Sequence, residues 1–179
     1  MIVIHPNDKT TSFLKEIYDG KKGVTLIDET WNGRSIRETI GLAPKEEVIM
    51  MLGHGHNNGL LAPFGRKQFG RVIVDSKLVY LLREHPCIGI WCYANEFAKK
   101  YGLKGLFSGM VISEANEAYD NCVDITGEDI DLCNKQYASD LKYCIRHYSL
   151  DLIPKAMLEL QDYGSELKDF NYNSLYYYK

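Results

Sequence analysis

No run of apolar residues in this chain approaches the roughly 18 that a membrane-spanning helix requires. A membrane partner is therefore not expected. Positive charge is not in excess either: 21 Lys and Arg stand against 24 Asp and Glu, for a net charge of −3. Without a basic surplus to neutralise phosphates, nucleic acid is not an expected partner. Cys-x-x-Cys pairs are missing. The five cysteines, Cys87, Cys92, Cys122, Cys133 and Cys144, are odd in number and irregular in spacing. That pattern makes a poor disulfide framework and a poor zinc site. His54-x-His56 is the nearest thing to a ligand pair, and neither a metal nor another cofactor is expected. No basic n-region followed by a long apolar stretch opens the chain. Reduced thiols then fit a cytoplasmic location.

A phosphate-binding glycine loop is also missing. No Gly-x-Gly-x-x-Gly or Walker sequence occurs, and only His5-Pro6-Asn7-Asp8 follows the first apolar run. This weakens a flavodoxin-like or receiver-like reading. What the chain does have is an ordinary globular balance, 45% apolar and 25% charged residues over 179 positions. One domain, 1–179, is expected.

The apolar runs are short and separated by helical patterns. Met1–Ile4, Val24–Ile27, Val48–Leu52, Ile88–Trp91 and Gly109–Ile112 read as five strands. Helices are expected from Thr10 or Thr11 to Tyr18, Arg34 to Leu42, Asp75 or Ser76 to Glu84, and Asn95 to Tyr101. Leu60-Leu61-Ala62 and Arg71-Val72-Ile73-Val74 can pair as a hairpin. From about Asp129 the pattern turns helical, with one helix from Ile130 to Tyr148 and another from Leu150 to Tyr163. Cys122, Cys133 and Cys144 recur every 11 residues, which would keep them on one buried helical face. Trp31, Trp91 and the tail tyrosines Tyr172, Tyr176, Tyr177 and Tyr178 read as packing aromatics. Strands alternating with helices predict an α/β three-layer sandwich: a mostly parallel central sheet between helices, plus C-terminal helices over 129–179. Right-handed crossovers gather the strand C-termini on one edge, where reacting groups collect in open α/β sheets.

Two of these strands end in residues with chemistry. Val48–Leu52 runs into Gly53-His54-Gly55-His56, and Ile88–Trp91 runs into Cys92. A free thiol is only a few per cent thiolate at neutral pH and needs a base, and imidazole suits the task. Attack on a carbonyl also needs donors for the oxyanion. The backbone N–H groups of Gly55 and Cys92 can serve, with no side chain on Gly55 to obstruct them. His56, two residues on, is the rival histidine.

The strings VIMMLGHGHNNGLL, RVIVDSKLVYLLREH and CIGIWCYANEF together resemble the caspase-like cysteine peptidases of clan CD (caspases, metacaspases, gingipains, separases and the CHAT group). The resemblance covers about Met1 to Ala118. It implies His54 as base, Cys92 as nucleophile, the amides of Gly55 and Cys92 as oxyanion donors, and a thioester acyl-enzyme with no metal. Peptides or proteins would be the substrates. Glu114, with Glu117 or Asp120 nearby, is a candidate wall of a pocket for a basic P1 residue; its competing role is a helix N-terminal acid. Caspases have Gln-Ala-Cys at the nucleophile, whereas here the text is Ile90-Trp91-Cys92-Tyr93-Ala94. The alternative expectation is accordingly a catalytically inactive caspase-like fold that binds or regulates.

Overall fold

The β-branched and apolar run Ile2–Ile4 (β1) has no polar side chain to face water, so it is driven between two covering layers. In the computed structural model, which describes residues 1–64, 67–125, 130–161 and 165–179, it lies inside a six-stranded sheet. β1 pairs in parallel with Thr25–Ile27 (β2) on one side and Ile49–Leu52 (β3) on the other. β3 pairs in parallel with Cys87–Ile90 (β7), and β7 with Gly105–Ser108 (β8). Leu175–Tyr178 (β9) closes the far edge antiparallel to β8, giving the order β2-β1-β3-β7-β8-β9.

Alternate residues of each strand feed two cores. Ile2, Ile4, Ile49, Met51 and Phe107 pack with Ile36 and Ile40 of Gly33–Leu42 (α1), Leu82 of Val79–Leu82 (α2), and Phe97 of Ala94–Tyr101 (α3). Val3, Met50, Leu52, Ile88, Ile90 and Leu106 pack on the opposite face. Their partners there are Leu14 and Ile17 of a 3₁₀ turn (Ser12–Ile17) and Tyr137, Leu141 and Cys144 of a long helix, Ile130–His147 (α5). Met157 of Ile153–Glu159 (α6) and Tyr172 of Glu166–Tyr172 (α7) complete that face. The expected α/β architecture, a mostly parallel sheet with C-terminal helices, is the observed one. The expected hairpin also forms: Gly55–His56 (β4), Gly59–Phe64 (β5) and Lys67–Val74 (β6) make a small antiparallel sheet, with Leu61 opposite Val72 and Ala62 opposite Arg71. Arg71 ties it to the main body by donating to the carbonyls of Glu29 and Trp31.

Several local expectations need correction. The fifth parallel strand is Gly105–Ser108, not Gly109–Ile112. Gly105 has φ +131°, and a Cβ there would lie 1.9 Å from the Cys87 carbonyl oxygen, so glycine marks the close approach that starts β8. Val111 and Ile112 are buried for another reason. Ile112 exchanges backbone bonds with the Asn171 side chain and packs against Ala118, Cys133 and Leu167. The segment after β1 is 3₁₀ rather than α, and the Asp75–Glu84 helix shrinks to Val79–Leu82. The helix expected over Leu150–Tyr163 is Ile153–Glu159, begun by Pro154; Tyr163, like Asp129, falls outside the described residues. Cys133 and Cys144 are buried on α5, but Cys122 is exposed, beyond the end of Ala115–Asp120 (α4) with φ 54°. The tyrosine-rich tail supplies both a helix end (Tyr172) and the antiparallel edge strand.

His5, at the end of β1, is buried with its Nδ1 3.1 Å from the Tyr18 hydroxyl. Burial holds its pKa down, from 6.5 to about 4. The unfolded chain therefore takes up a proton at this site between about pH 6.5 and 4 while the folded chain does not. Stability is full above that window and falls as pH drops through it. From pH 7 to 5 this group alone is expected to remove about 2 kcal/mol. Denaturant unfolding at the two pH values should show a drop of that order, and His5→Gln should lack that part of it.

Candidate active site

β3 and β7 are paired up to Leu52 opposite Ile90, and His54 and Cys92 each lie two residues beyond that pair. The equal offsets bring His54 and Cys92 to the same C-terminal edge of the sheet. The Gly53 amide extends the ladder, donating to the Ile90 carbonyl at 3.1 Å. Past Cys92 the chain reverses sharply. Tyr93 takes a left-handed φ of 66°, costly for a non-glycine residue, and α3 starts at Ala94. The Ala94 amide bonds the Trp91 carbonyl and the Tyr93 amide bonds the Gly109 carbonyl, which pins the turn. Buried Ser108 holds the approach, accepting from the Trp91 amide at 3.0 Å and donating to the Trp91 carbonyl at 2.8 Å.

His54 and Cys92 line one small space of about 10 Å³, with Trp91, Val111, Phe13 and Ser113 among its walls. A space of that size holds about one water molecule. Phe13 and Ser113 also line a broad groove of about 1070 Å³ between the 3₁₀ turn, α4 and α5. The groove and the small space thus share these two residues. The Cys92 thiol is partly buried and donates to the Val111 carbonyl at 3.6 Å. Burial pushes its pKa up to about 11, and the Glu117 charge adds to the rise. Burial thus favours the neutral thiol of Cys92 over its thiolate.

His54 is held from the other side. Its Nε2 lies 2.5 Å from Thr10 Oγ1 and 3.5 Å from Asp8 Oδ1. The same Asp8 oxygen accepts from the Thr10 amide at 2.9 Å and pairs with the Thr10 hydroxyl at 2.6 Å. Asp8 and Thr10 were not assigned to the site by sequence, where Thr10 was read only as a possible helix start, although the signal was present: Asp-x-Thr follows β1, and β1 is the sheet neighbour of β3. An aspartate accepting from residue i+2 is an ordinary turn former, so chemistry alone does not mark it.

Gly55 sits where only glycine fits. A Cβ would lie 2.1 Å from Trp91 Cδ1 and 2.7 Å from the Gly59 carbonyl oxygen. The Leu61 amide donates to the His54 carbonyl at 2.8 Å, which makes Gly55–Leu60 the non-hydrogen-bonded pair of the hairpin. The Gly55 N–H therefore points out of the ladder rather than into it. His56 is occupied differently: its Nδ1 accepts from the Asn58 amide at 3.0 Å and its carbonyl accepts from Trp91 Nε1 at 3.2 Å. It is not among the residues lining the space beside Cys92. Glu114 lies six residues past the end of β8, not at a strand end. It is the residue that caps α4, and its amide and that of Ser113 both donate to the Glu117 carboxylate, at 3.2 and 2.7 Å. Glu114 lines the broad groove but not the small space; Asp120, at the end of α4, lines neither.

Among the described residues no three His, Cys, Asp or Glu side chains cluster as a metal site, and no helix is long and apolar enough to cross a membrane. The fold and the site together define an α/β protein that carries a histidine and a partly buried thiol on adjacent parallel strands. No protein-family model matches the chain, and no curated protein matches it.

Proposed function

We propose that the protein is a cysteine peptidase of the caspase-like type, with Cys92 as nucleophile and His54 as base. The observation that carries this reading is the register: two residues beyond the last β3–β7 pair on each strand, His54 and Cys92 line one space at the sheet's C-terminal edge. The hairpin between the two strands, and a glycine directly after the histidine, match the resemblance seen in the sequence.

Because burial favours the neutral thiol, deprotonation accompanies attack. His54 takes the Cys92 proton as sulfur bonds to the scissile carbonyl carbon. The resulting oxyanion accepts hydrogen bonds from the Gly55 and Cys92 N–H groups. The C–N bond then breaks, and the amine leaves with the proton from His54. A water, giving its proton to His54, attacks the thioester and releases the acid and the thiol. Substrate would approach along the broad groove, and Phe13 and Ser113 would have to yield to admit it.

Hydrolysis of a fluorogenic peptide-amide panel tests the assignment, including Arg, Lys and Asp at P1. Cys92→Ser is expected to abolish any turnover while leaving the fold intact. The second reading, a binding or regulatory module with a vestigial dyad, draws on the thiol's bond to the Val111 carbonyl and on the small space beside it. It predicts no turnover of any member of the panel and no effect of Cys92→Ser on partner binding.

A further inference from the structure

We propose that Asp8 and Thr10 are positioning residues that fix His54 as the Nε2–H tautomer and so place its basic lone pair on Nδ1. The inference rests on the reading of His54 as the base, and it adds the device that sets the base's tautomer.

Three groups meet around one hydroxyl. Thr10 Oγ1 has a single proton and two neighbours able to accept it, Asp8 Oδ1 at 2.6 Å and His54 Nε2 at 2.5 Å. A charged carboxylate is the stronger acceptor at matched distance. Asp8 is also locked in place by the Thr10 amide, at 2.9 Å from the same oxygen. The hydroxyl proton therefore goes to Asp8. The Thr10 oxygen is left as an acceptor, and a contact of 2.5 Å to Nε2 then requires the proton to sit on Nε2. A neutral imidazole with Nε2–H carries its lone pair on Nδ1.

The same arrangement serves the charged state. When His54 takes a second proton it faces the Asp8 carboxylate, 3.5 Å from Nε2. Both side chains are only 11% exposed, so their attraction is not washed out by solvent. The arrangement resembles the Asp–His half of a serine-protease triad with a hydroxyl inserted between the partners. Thr10 also borders the broad groove, so the relay stands between its floor and the histidine.

The test uses the full chain labelled with ¹⁵N-histidine. Long-range proton–nitrogen spectra should show the neutral His54 ring protonated at Nε2 and bare at Nδ1. Thr10→Val keeps the side-chain shape but removes the hydroxyl, and it should mix the two tautomers; Thr10→Ser should restore the wild-type pattern. The rate of Cys92 alkylation should fall about 10- to 100-fold in Thr10→Val and in Asp8→Asn, the scale of one lost charge-assisted bond. In Thr10→Ser it should stay within a few-fold of wild type. If Thr10→Val fails to fold, Asp8→Asn and Thr10→Ser carry the comparison. A neutral wild-type ring protonated at Nδ1 would overturn the proposal, as would unchanged tautomer and rate in Asp8→Asn. An Nε2–H ring together with Cys92 alkylation that ignores His54→Ala would instead overturn the peptidase reading and leave the positioning role standing.

Discussion

Gly55→Ala is expected to destabilise the protein by about 3 kcal/mol or more, a large overpacking penalty for one methyl group. The new Cβ meets Trp91 Cδ1 at 2.1 Å and a backbone oxygen, that of Gly59, at 2.7 Å. Neither can give way cheaply. Trp91 is 1% exposed and packs on Phe97, and its Nε1 is bonded to the His56 carbonyl. The Gly59 oxygen belongs to the tight turn that joins β4 to β5. At roughly 2–4 °C per kcal/mol for a chain of this size, the melting temperature should fall by about 6–12 °C. Gly102→Ala is the control. Gly102 has φ +63° but nothing within 4 Å of a Cβ, so only about 1 kcal/mol of backbone strain is expected there. Equal effects at the two sites in a thermal melt would mean that the Trp91 wall is not as rigid as the packing implies.

The alternation of short apolar runs with helical patterns was enough to read the parallel sheet. Strands such as Ile49–Leu52 and Cys87–Ile90 are buried on both faces and so carry an unbroken hydrophobic signal. The placement of His54 and Cys92 at one edge of the sheet was legible because each lies just past such a run. The less visible features have specific causes. Gly105–Ser108 and Gly109–Ile112 are adjacent apolar stretches, and only the close approach of Gly105 to Cys87 decides which one pairs. β9 reads as Leu-Tyr-Tyr-Tyr, half-exposed at an edge, and its antiparallel pairing with β8 spans the C-terminal helices. Thr10 meets His54 across 44 residues of sequence, with Asp8 beside it, a contact no local pattern encodes. Glu114 drew notice as an acid near a presumed strand end, and its position as the α4 cap is the commoner use of that residue type. Gly55 was read as an open amide; that Trp91 also requires it depends on the indole filling the room a side chain would take.

On the peptidase reading, the largest functional effect should come from removing His54. A thiol held near pKa 11 is thiolate in about one molecule in 10⁴ at pH 7. Left to itself, Cys92 should react far more slowly than the exposed Cys122, and the three buried cysteines should not compete. A positioned general base contributes about 10²- to 10⁴-fold, enough to reverse that order. His54→Ala should cancel the gain, whereas His56→Ala should not, since the His56 ring is bonded within its own hairpin turn.

The direct measurement is the rate of alkylation at each cysteine by a peptidyl acyloxymethyl-ketone at neutral pH, read by mass spectrometry in wild type, His54→Ala and His56→Ala. The peptidase reading predicts that Cys92 is modified ahead of Cys122 in the wild type and in His56→Ala, and that its rate drops at least 100-fold in His54→Ala. Modification of Cys122 alone, or a Cys92 rate unchanged by His54→Ala, would contradict it.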